Sequence, residues 1–363
     1  MADTVVLIGT RKGLFLARSA DRRTWELSEP QFSMNSVGAV ATDPRRSPTR
    51  LLAGTDSPHW GPSVFISDDL GKTWSDSEGG AIRFPAATEA ALAAVWQLQP
   101  GLDTEPDVVW AGVEPAALFR STDGGATYSL VEGLWNHPHR ETWMPGGGGQ
   151  CLHTIVLHPD DPARVMVGIS TGGVYRTADG GANWAPSNSG IEARFYPDIH
   201  PEYGQCVHRI ARHPDRPDQL FLQNHGGVYR SDDGGTTWID IASGLPGDFG
   251  FPVVVHPHRS GTVYLFPQVA DANRVPPEGR PAVYRSTDAG DTWERLDGGL
   301  PAAGAWGLTV LRDAMGTDAG DPAGVYFGTR TGEVYVAHDG EDRWNLVASH
   351  LPDVLSVRAA TLT

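Results

Sequence analysis

Two short segments of the chain carry the same pair of reactive side chains. They read Gly149-Gln150-Cys151-Leu152-His153 and Gly204-Gln205-Cys206-Val207-His208, and both run into a His-Pro dipeptide at the same spacing. This spacing predicts equivalent positions on neighbouring strands. Residues two apart on a strand point to the same side, so each pair offers a thiol and an imidazole to one surface. Such groups bind metal ions or transfer protons.

The sequence leaves two interpretations of these pairs open. Together they have the composition of a Cys2His2 metal site. Alternatively, each pair faces its own seam between layers of the fold, and a buried cysteine is then a small apolar residue. We assign no metal ligand, leave the cofactor open, and interpret His153 and His208 as residues of a functional pocket.

The loops that lead into the two segments hold the groups that a polar ligand needs. Aromatic rings stack on ligands, imidazoles titrate near neutrality, and carboxylates transfer protons. We predict ligand-binding roles for His139, Trp143, Gln150, Tyr196, His200, Tyr203 and Gln205. If the protein is hydrolytic, we expect an acid or base among Glu141, Asp198 and Glu202, with His153 and His208 as catalytic partners. Any one of these residues could instead belong to a well-packed surface loop.

A second set of candidates lies at hairpin tips. Gly9-Thr10-Arg11-Lys12-Gly13 and Gly328-Thr329-Arg330-Thr331-Gly332 are predicted to be equivalent turns of neighbouring repeats. Side by side, Arg11 and Arg330 would form a clamp for a carboxylate or a phosphate, although arginine at a hairpin tip also serves solubility. The ligand-binding prediction extends to the corresponding turns of two other repeats, which contain His59, Trp60 and His225.

These side chains must be positioned by a repeated element. One octapeptide pattern returns along the chain: SDDLGKTW at 67–74, STDGGATY at 121–128, TADGGANW at 177–184, SDDGGTTW at 231–238 and STDAGDTW at 286–293. Two degenerate copies, SADRRTW at 19–25 and AHDGEDRW at 337–344, complete a set of seven. Its aspartate can accept hydrogen bonds from turn amides, its glycine permits positive φ, and its closing aromatic ring can pack on the next unit. The period is in the range of propeller blades.

The octapeptide resembles the Asp-box, also called the bacterial neuraminidase repeat, of sialidases, sortilin-type receptors, xyloglucan-cleaving glycosidases and photosystem assembly factors. Over its full length the chain is similar to single-propeller bacterial proteins described as glycosyl hydrolase-like or exo-sialidase-like. The resemblance implies an all-β, seven-bladed β-propeller in which the box lies away from the active site.

Apolar runs around each box predict four strands per blade, named a to d from the channel outward. The chain begins on strand b of the first blade, so we expect a C-terminal strand within residues 354–362 to pair into that blade and close the ring. Boxes at the c–d turns mark the bottom face. The long connections 75–92, 129–150 and 185–205 then lie on the top face, where binding residues usually collect. We predict one domain over residues 1–363.

Composition excludes several classes of partner. The chain has 28 Lys and Arg against 44 Asp and Glu, a net charge of −16, which repels nucleic acid and anionic membranes. No apolar stretch is long enough to span a membrane, and the run Val5-Val6-Leu7-Ile8 begins too early to leave room for a signal peptide. We therefore expect a soluble, cytoplasmic protein whose two cysteines are reduced.

Three functions remain after these exclusions. The sialidase arginine triad and its Arg-Ile-Pro signature are not matched, since Ile82-Arg83-Phe84-Pro85 is only a partial echo. The leading hypothesis is a propeller that binds, and in one version hydrolyses, a small polar sugar-like or carboxylated ligand at the top of the channel near blades 4 and 5. The alternatives are a non-catalytic scaffold that binds a protein partner and a metal-dependent enzyme that uses the top-face histidines.

Overall fold

Strands form where apolar, β-branched runs are bounded by Gly, Pro and Asp turns. The computed structural model describes residues 3–77, 80–269 and 273–362. Within these residues the strands pair into seven antiparallel sheets, which are the blades of a β-propeller. The all-β, seven-bladed fold expected from the repeat is confirmed.

The blades are numbered along the chain. Blade 1 contains β1 (Thr4–Thr10), β2 (Gly13–Ser19) and β3 (Glu26–Leu27). Blade 2 contains β4 (Ser36–Asp43), β5 (Arg50–Ser57) and β6 (Gly61–Ser67). Blade 3 contains β7 (Ala94–Pro100), β8 (Val109–Glu114), β9 (Ala117–Ser121) and β10 (Ser129–Leu130). Blade 4 contains β11 (Leu152–His158), β12 (Asp161–Ile169), β13 (Gly173–Thr177) and β14 (Ala185–Pro186). Blade 5 contains β15 (Val207–His213), β16 (Arg216–Asn224), β17 (Val228–Ser231) and β18 (Ile239–Asp240). Blade 6 contains β19 (Phe249–Val255), β20 (Val263–Gln268), β21 (Val283–Ser286) and β22 (Glu294–Leu296). Blade 7 contains β23 (Met315–Thr317), β24 (Gly324–Gly328), β25 (Val334–His338) and β26 (Asn345–Ala348). The last strand, β27 (Val354–Thr361), belongs to blade 1.

Helices are confined to short turns in the connections. Within residues 3–77, 80–269 and 273–362 they are α1 (Glu132–Trp135) and three 3-10 turns, Ala86–Thr88, Pro138–Thr142 and Pro277–Gly279. In the described part of the chain, no helix has the length and apolarity needed to cross a membrane.

The C-terminal strand closes the ring. β27 pairs antiparallel with β1, from Thr4 opposite Thr361 to Thr10 opposite Val354, and becomes the innermost strand of blade 1. This closure was expected from the sequence. Blade 2 departs from the four-strand pattern, because a single bridge between Ile66 and Ser75 stands where a fourth strand was expected.

The Asp-boxes form the c–d turns through a repeated set of hydrogen bonds. In blade 5, Asp233 accepts from the Ser231 hydroxyl at 2.8 Å, from the Thr237 amide at 2.9 Å and from the Thr237 hydroxyl at 2.7 Å. In blade 6, hydrogen bonding from the Thr292 hydroxyl is the main cause that lowers the pKa of Asp288 to about 2. The box aspartate is therefore an ionised acceptor that fixes the bottom face.

The closing tryptophans join neighbouring blades. Their indole N–H groups donate to carbonyls of the preceding blade: Trp238 to Ser187 (2.8 Å), Trp293 to Ile241 (2.9 Å) and Trp344 to Leu296 (3.1 Å). The rings of Trp238 and Trp344 are buried, and that of Trp293 is half-buried. At these three seams a large apolar ring with one satisfied donor thus packs on the preceding blade, as the repeat predicted.

The innermost strand of six blades carries a β-bulge near its upper end. The extra residues are Gly38, Trp96, His153, His208, Phe251 and Leu355. Bulges redirect side chains and are frequent at barrel rims. The bulges therefore decide which side chains face the top of the channel and which face a seam.

Candidate functional site

A cavity of about 300 Å³ occupies the top end of the central channel. Four of the bulge residues line its wall: Gly38, Trp96, Phe251 and Leu355. The cavity reaches the surface at Arg11 and Gly148, which are exposed. Its volume is at the lower end of the range for small-molecule sites, which suits a ligand the size of one sugar unit.

A buried ion-pair network forms the floor of this cavity. Asp313 of blade 7 accepts from Arg209 of blade 5 at 2.6 Å and from Arg358 of blade 1 at 2.7 Å. Asp313 lines the upper cavity, whereas Arg209 and Arg358 line a second cavity of about 430 Å³ toward the bottom face. The network therefore lies between the two cavities and divides the channel.

Arg312 is the group on the cavity wall best placed to bind an anion. Its guanidinium carbon lies 4.9 Å from the ring centroid of Trp96 and 6.0 Å from that of Phe251. Its Nη1 lies 3.8 Å from Cys151 Sγ, and its Nε is buried without a hydrogen-bond partner. Among the residues that the structure describes, no carboxylate lies within ion-pair distance of Arg312. A half-buried cation with weak partners gains most from an incoming carboxylate.

Glu114, the last residue of β8, holds Trp96 in place. Trp96 Nε1 donates to Glu114 Oε2 at 3.0 Å. Gly149 packs directly on this carboxylate with φ +92°, and a Cβ there would lie 2.3 Å from Glu114 Oε1. The glycine that begins the first Gly-Gln-Cys-x-His segment is therefore required beside the cavity.

The remaining wall of the cavity combines charges of both signs. Arg274 lies with its guanidinium carbon 5.5 Å from the Phe251 ring centroid, so this ring has two cationic neighbours. Asp56 lies on the opposite wall together with Ser36. The site therefore offers a stacking surface, guanidinium donors and one carboxylate to a polar ligand.

The two hairpin arginines converge on a carboxylate of the protein itself. Asp353 Oδ2 lies 2.9 Å from Arg330 Nη2 and 3.7 Å from Arg11 Nε. Arg11 also reaches the cavity wall. An anionic ligand at this clamp would have to compete with Asp353.

The Cys-His pair of blade 4 is buried in the seam with blade 5. His153 is fully buried, and its Nε2 donates to the Val207 carbonyl at 2.9 Å. Burial, reinforced by the nearby Arg312, lowers the pKa of His153 well below 6.5. Burial also raises the pKa of the Cys151 thiol to about 12. Both groups are therefore neutral at physiological pH.

The pair of blade 5 faces the next seam. His208 Nδ1 donates to the Gly250 carbonyl of blade 6 at 2.6 Å, and burial lowers the pKa of His208 well below 6.5. Cys206 Sγ lies 3.7 Å from His208 Nε2, and the His225 ring packs 5.5 Å away from His208. The two pairs therefore face different seams, and Cys206, His208 and His225 form the cluster that the structure brings together.

The loops before blades 4 and 5 form a separate groove of about 390 Å³. Three predicted residues line it: Tyr196, Glu202 and Tyr203. The His139 ring stacks on Tyr203 at a centroid distance of 3.9 Å. Trp143 is instead a core residue, buried with its indole donating to Tyr175 at 3.1 Å.

The other predicted residues are distributed around the top face. Glu141, Asp198, His200, His59 and Trp60 are exposed, and Trp60 is 91% exposed. Among the described residues, the linings of the cavity and the groove include none of these five. Gln150 accepts from the Ala116 amide at 3.3 Å, and the buried Gln205 donates to the Pro201 carbonyl at 2.7 Å. Both glutamines thus brace loops.

Comparison with known proteins agrees with the architecture. A family model described as BNR/Asp-box repeat matches residues 65–76. The chain is an Asp-box β-propeller. Its curated relatives include the oligoxyloglucan-reducing end-specific xyloglucanase of Emericella nidulans, 27% identical over 240 residues, which are 57% of this chain and 27% of that enzyme. The chain spans about a quarter to a third of the length of the xyloglucanases that it matches first.

Two solved structures illustrate the shared fold. The GH74 enzyme of Niastella koreensis matches with a TM-score of 0.60 at 16% identity, over 94% of this chain and 52% of that chain. YCF48 bound to D1 peptide matches with a TM-score of 0.51 at 13% identity, over 90% of this chain and 93% of that chain.

The sequence analysis missed several cavity residues of this Asp-box propeller, among them Trp96, Phe251, Arg274 and Arg312. A signal for two of them was present. His153 stands five residues before His158, and Phe251 stands five residues before His256 in the same way. In blade 7 the position five residues before Asp318 is Asp313, and Arg312 directly precedes it. The same spacing leads from Trp96 to Gly101, but no His-Pro turn marks it.

Proposed function

We propose that the protein binds a small carboxylated, sugar-like molecule in the cavity at the top of the channel. Arg312 carries this proposal, because it faces the cavity as a half-buried cation with a thiol and aromatic faces as its neighbours. A carboxylate would supply the bidentate partner that a guanidinium prefers, and the Trp96 ring offers a stacking surface for a sugar. The names of the curated relatives, which are xyloglucanases, support a sugar-like ligand.

Binding is better supported than hydrolysis. Glycoside hydrolysis requires two carboxyl groups that flank the scissile bond. Two aspartates line the cavity, Asp56 and Asp313. Asp313 is paired with two arginines, so the lining does not offer two carboxyl groups for this reaction. Of the carboxylates predicted from the sequence as acid or base, Glu202 lines the separate groove of blades 4 and 5. It could therefore act only on a ligand bound in that groove.

Titration calorimetry with D-glucuronate and with neutral glucose tests the proposal. We expect wild type to prefer the acid and Arg312→Gln to lose that preference, with affinity for glucuronate roughly 10- to 100-fold weaker because a charged hydrogen-bonded pair is lost. Arg23→Gln, which removes an exposed arginine paired with Glu341 on the bottom face, is the matched control and should bind like wild type. Absence of glucuronate binding in wild type, or equal affinity in Arg312→Gln, would contradict the proposal.

A protein-binding scaffold is the second candidate. Large apolar side chains are exposed on the top-face loops: Trp60, Met144, Phe195, Tyr196, Ile199 and Trp306. Exposed aromatic side chains are typical of interaction surfaces, and YCF48, of similar fold, binds a peptide. This function predicts that Trp60→Ala and Met144→Ala weaken binding of a co-purifying partner while Arg312→Gln does not.

A further inference from the structure

A thiol and two imidazoles converge in the seam between blades 5 and 6. One ligand atom from each of Cys206, His208 and His225 lies within 4.8 Å of the other two. The distance from Cys206 Sγ to His208 Nε2 is 3.7 Å. In a tetrahedral zinc site with ordinary bond lengths the sulfur and nitrogen ligands are about 3.5 Å apart. We propose that these three side chains bind one Zn²⁺ ion.

The hydrogen bonding of His208 orients a lone pair toward the thiol. Its Nδ1 lies 2.6 Å from the Gly250 carbonyl, which can only accept, so Nδ1 carries the proton. In the neutral ring Nε2 is then unprotonated and points at Cys206. Metal-binding histidines typically have this arrangement, in which one ring nitrogen binds the ion and the other donates to a carbonyl or carboxylate.

All three ligands belong to one blade, which holds them rigidly. Cys206 directly precedes β15, His208 is the bulge residue of that strand, and the His225 amide donates to the Cys206 carbonyl at 2.9 Å. The repeat in blade 4 has the same Cys-x-His pair, but the described residues bring no third ligand to it. There the Ser170 amide donates to the Cys151 carbonyl, so a serine occupies the position of His225.

The surroundings favour a site with one open coordination position. Phe251 stacks on His208 at 4.7 Å, and Phe249 packs against His208 and His225 at 5.5 and 5.1 Å. These rings make the seam apolar, which strengthens the binding of a cation by a thiolate. Three protein ligands leave a fourth position for water or another molecule, and the half-buried His225 offers the route of entry.

Metal titration of the full chain, purified without a histidine tag and stripped with a chelator, tests the inference. With Co²⁺ as the spectroscopic probe we expect one equivalent to bind with a thiolate charge-transfer band, and Zn²⁺ to displace it. Cys206→Ser should lose the band, and His225→Ser, which copies blade 4, should bind at least about tenfold more weakly. Cys151→Ser is the matched control and should retain wild-type stoichiometry.

Thiol alkylation gives a second readout that does not require the cysteine variant to fold. Zn²⁺ should protect Cys206 and leave the rate at Cys151 unchanged, as measured by mass spectrometry of the two peptides. Absence of stoichiometric binding, retention of the band in Cys206→Ser, or an equal loss in Cys151→Ser would each overturn the inference. The outcome is independent of ligand binding at Arg312.

Discussion

The buried His153 shows how surroundings decide the role of a reactive side chain. Its residue type suggested acid–base chemistry, but the ring is fully buried and donates across the seam to Val207. Arg312, which the sequence analysis passed over, faces the cavity instead. Residue types therefore pointed to the top face, whereas the orientation of each side chain depended on bulges that a simple strand alternation does not include.

The lowered pKa of His153 predicts a loss of stability in acid. The unfolded chain takes up a proton near pH 6.5, whereas folded His153 remains neutral, so unfolding becomes easier as pH falls below that value. We expect this residue to contribute about 1.4 kcal/mol per pH unit to the loss of unfolding free energy. His153→Gln, which keeps a donor for Val207, should reduce the slope between pH 6.5 and about pH 5.

Urea denaturation across that pH range measures the slope. A wild-type slope in His153→Gln would show that His153 is protonated in the folded state.

At the scale of elements, the turns were more predictable than the bulges. His158, His213 and His256 stand at the a–b turns of blades 4, 5 and 6, each before a proline, and each accepts a hydrogen bond at Nδ1 from the amide two residues later. Such turn chemistry is local and therefore visible in a short motif. The missing fourth strand of blade 2 was not predicted, because strand pairing depends on contacts outside the motif.

The Asp-box should contribute to stability through its aspartate. Asp233→Ala removes the acceptor for Ser231 and Thr237, and we expect the free energy of unfolding to fall by about 1–2 kcal/mol. The adjacent Asp232 is exposed and contacts Arg230 at 2.9 Å, so Asp232→Ala should cost less than about 1 kcal/mol. Chemical denaturation compares the two variants, and equal losses would refute the role assigned to the box.

At the scale of the whole molecule, the channel brings together residues from distant repeats. The ring and its closure were predicted from seven repeats, two of them degenerate, and from a first blade that lacked its innermost strand. The network of Arg209, Asp313 and Arg358 joins three different blades, so no local pattern could reveal it. The cavity above it is likewise composed of loops and strands that only the closed ring brings together.

The buried network predicts a large effect of one aspartate. Asp313→Ala leaves two largely buried arginines without their shared partner, which should lower the free energy of unfolding by about 3–5 kcal/mol. Asp353 also contacts two arginines but lies at the exposed rim, with 29% side-chain exposure against 5% for Asp313. Asp353→Ala should therefore cost at most about 1 kcal/mol in the same denaturation experiment. If Asp313→Ala and Asp353→Ala lowered the free energy of unfolding by similar amounts, the buried ion pairs would not stabilise the floor of the cavity as described.

A crystal structure of the protein with bound D-glucuronate would test the ligand site most directly. We expect the sugar in the cavity at the top of the channel, with its carboxylate at hydrogen-bond distance from the Arg312 guanidinium and its ring beside Trp96. Glucuronate found in the groove of blades 4 and 5, or absent from the cavity at saturating concentration, would contradict this assignment.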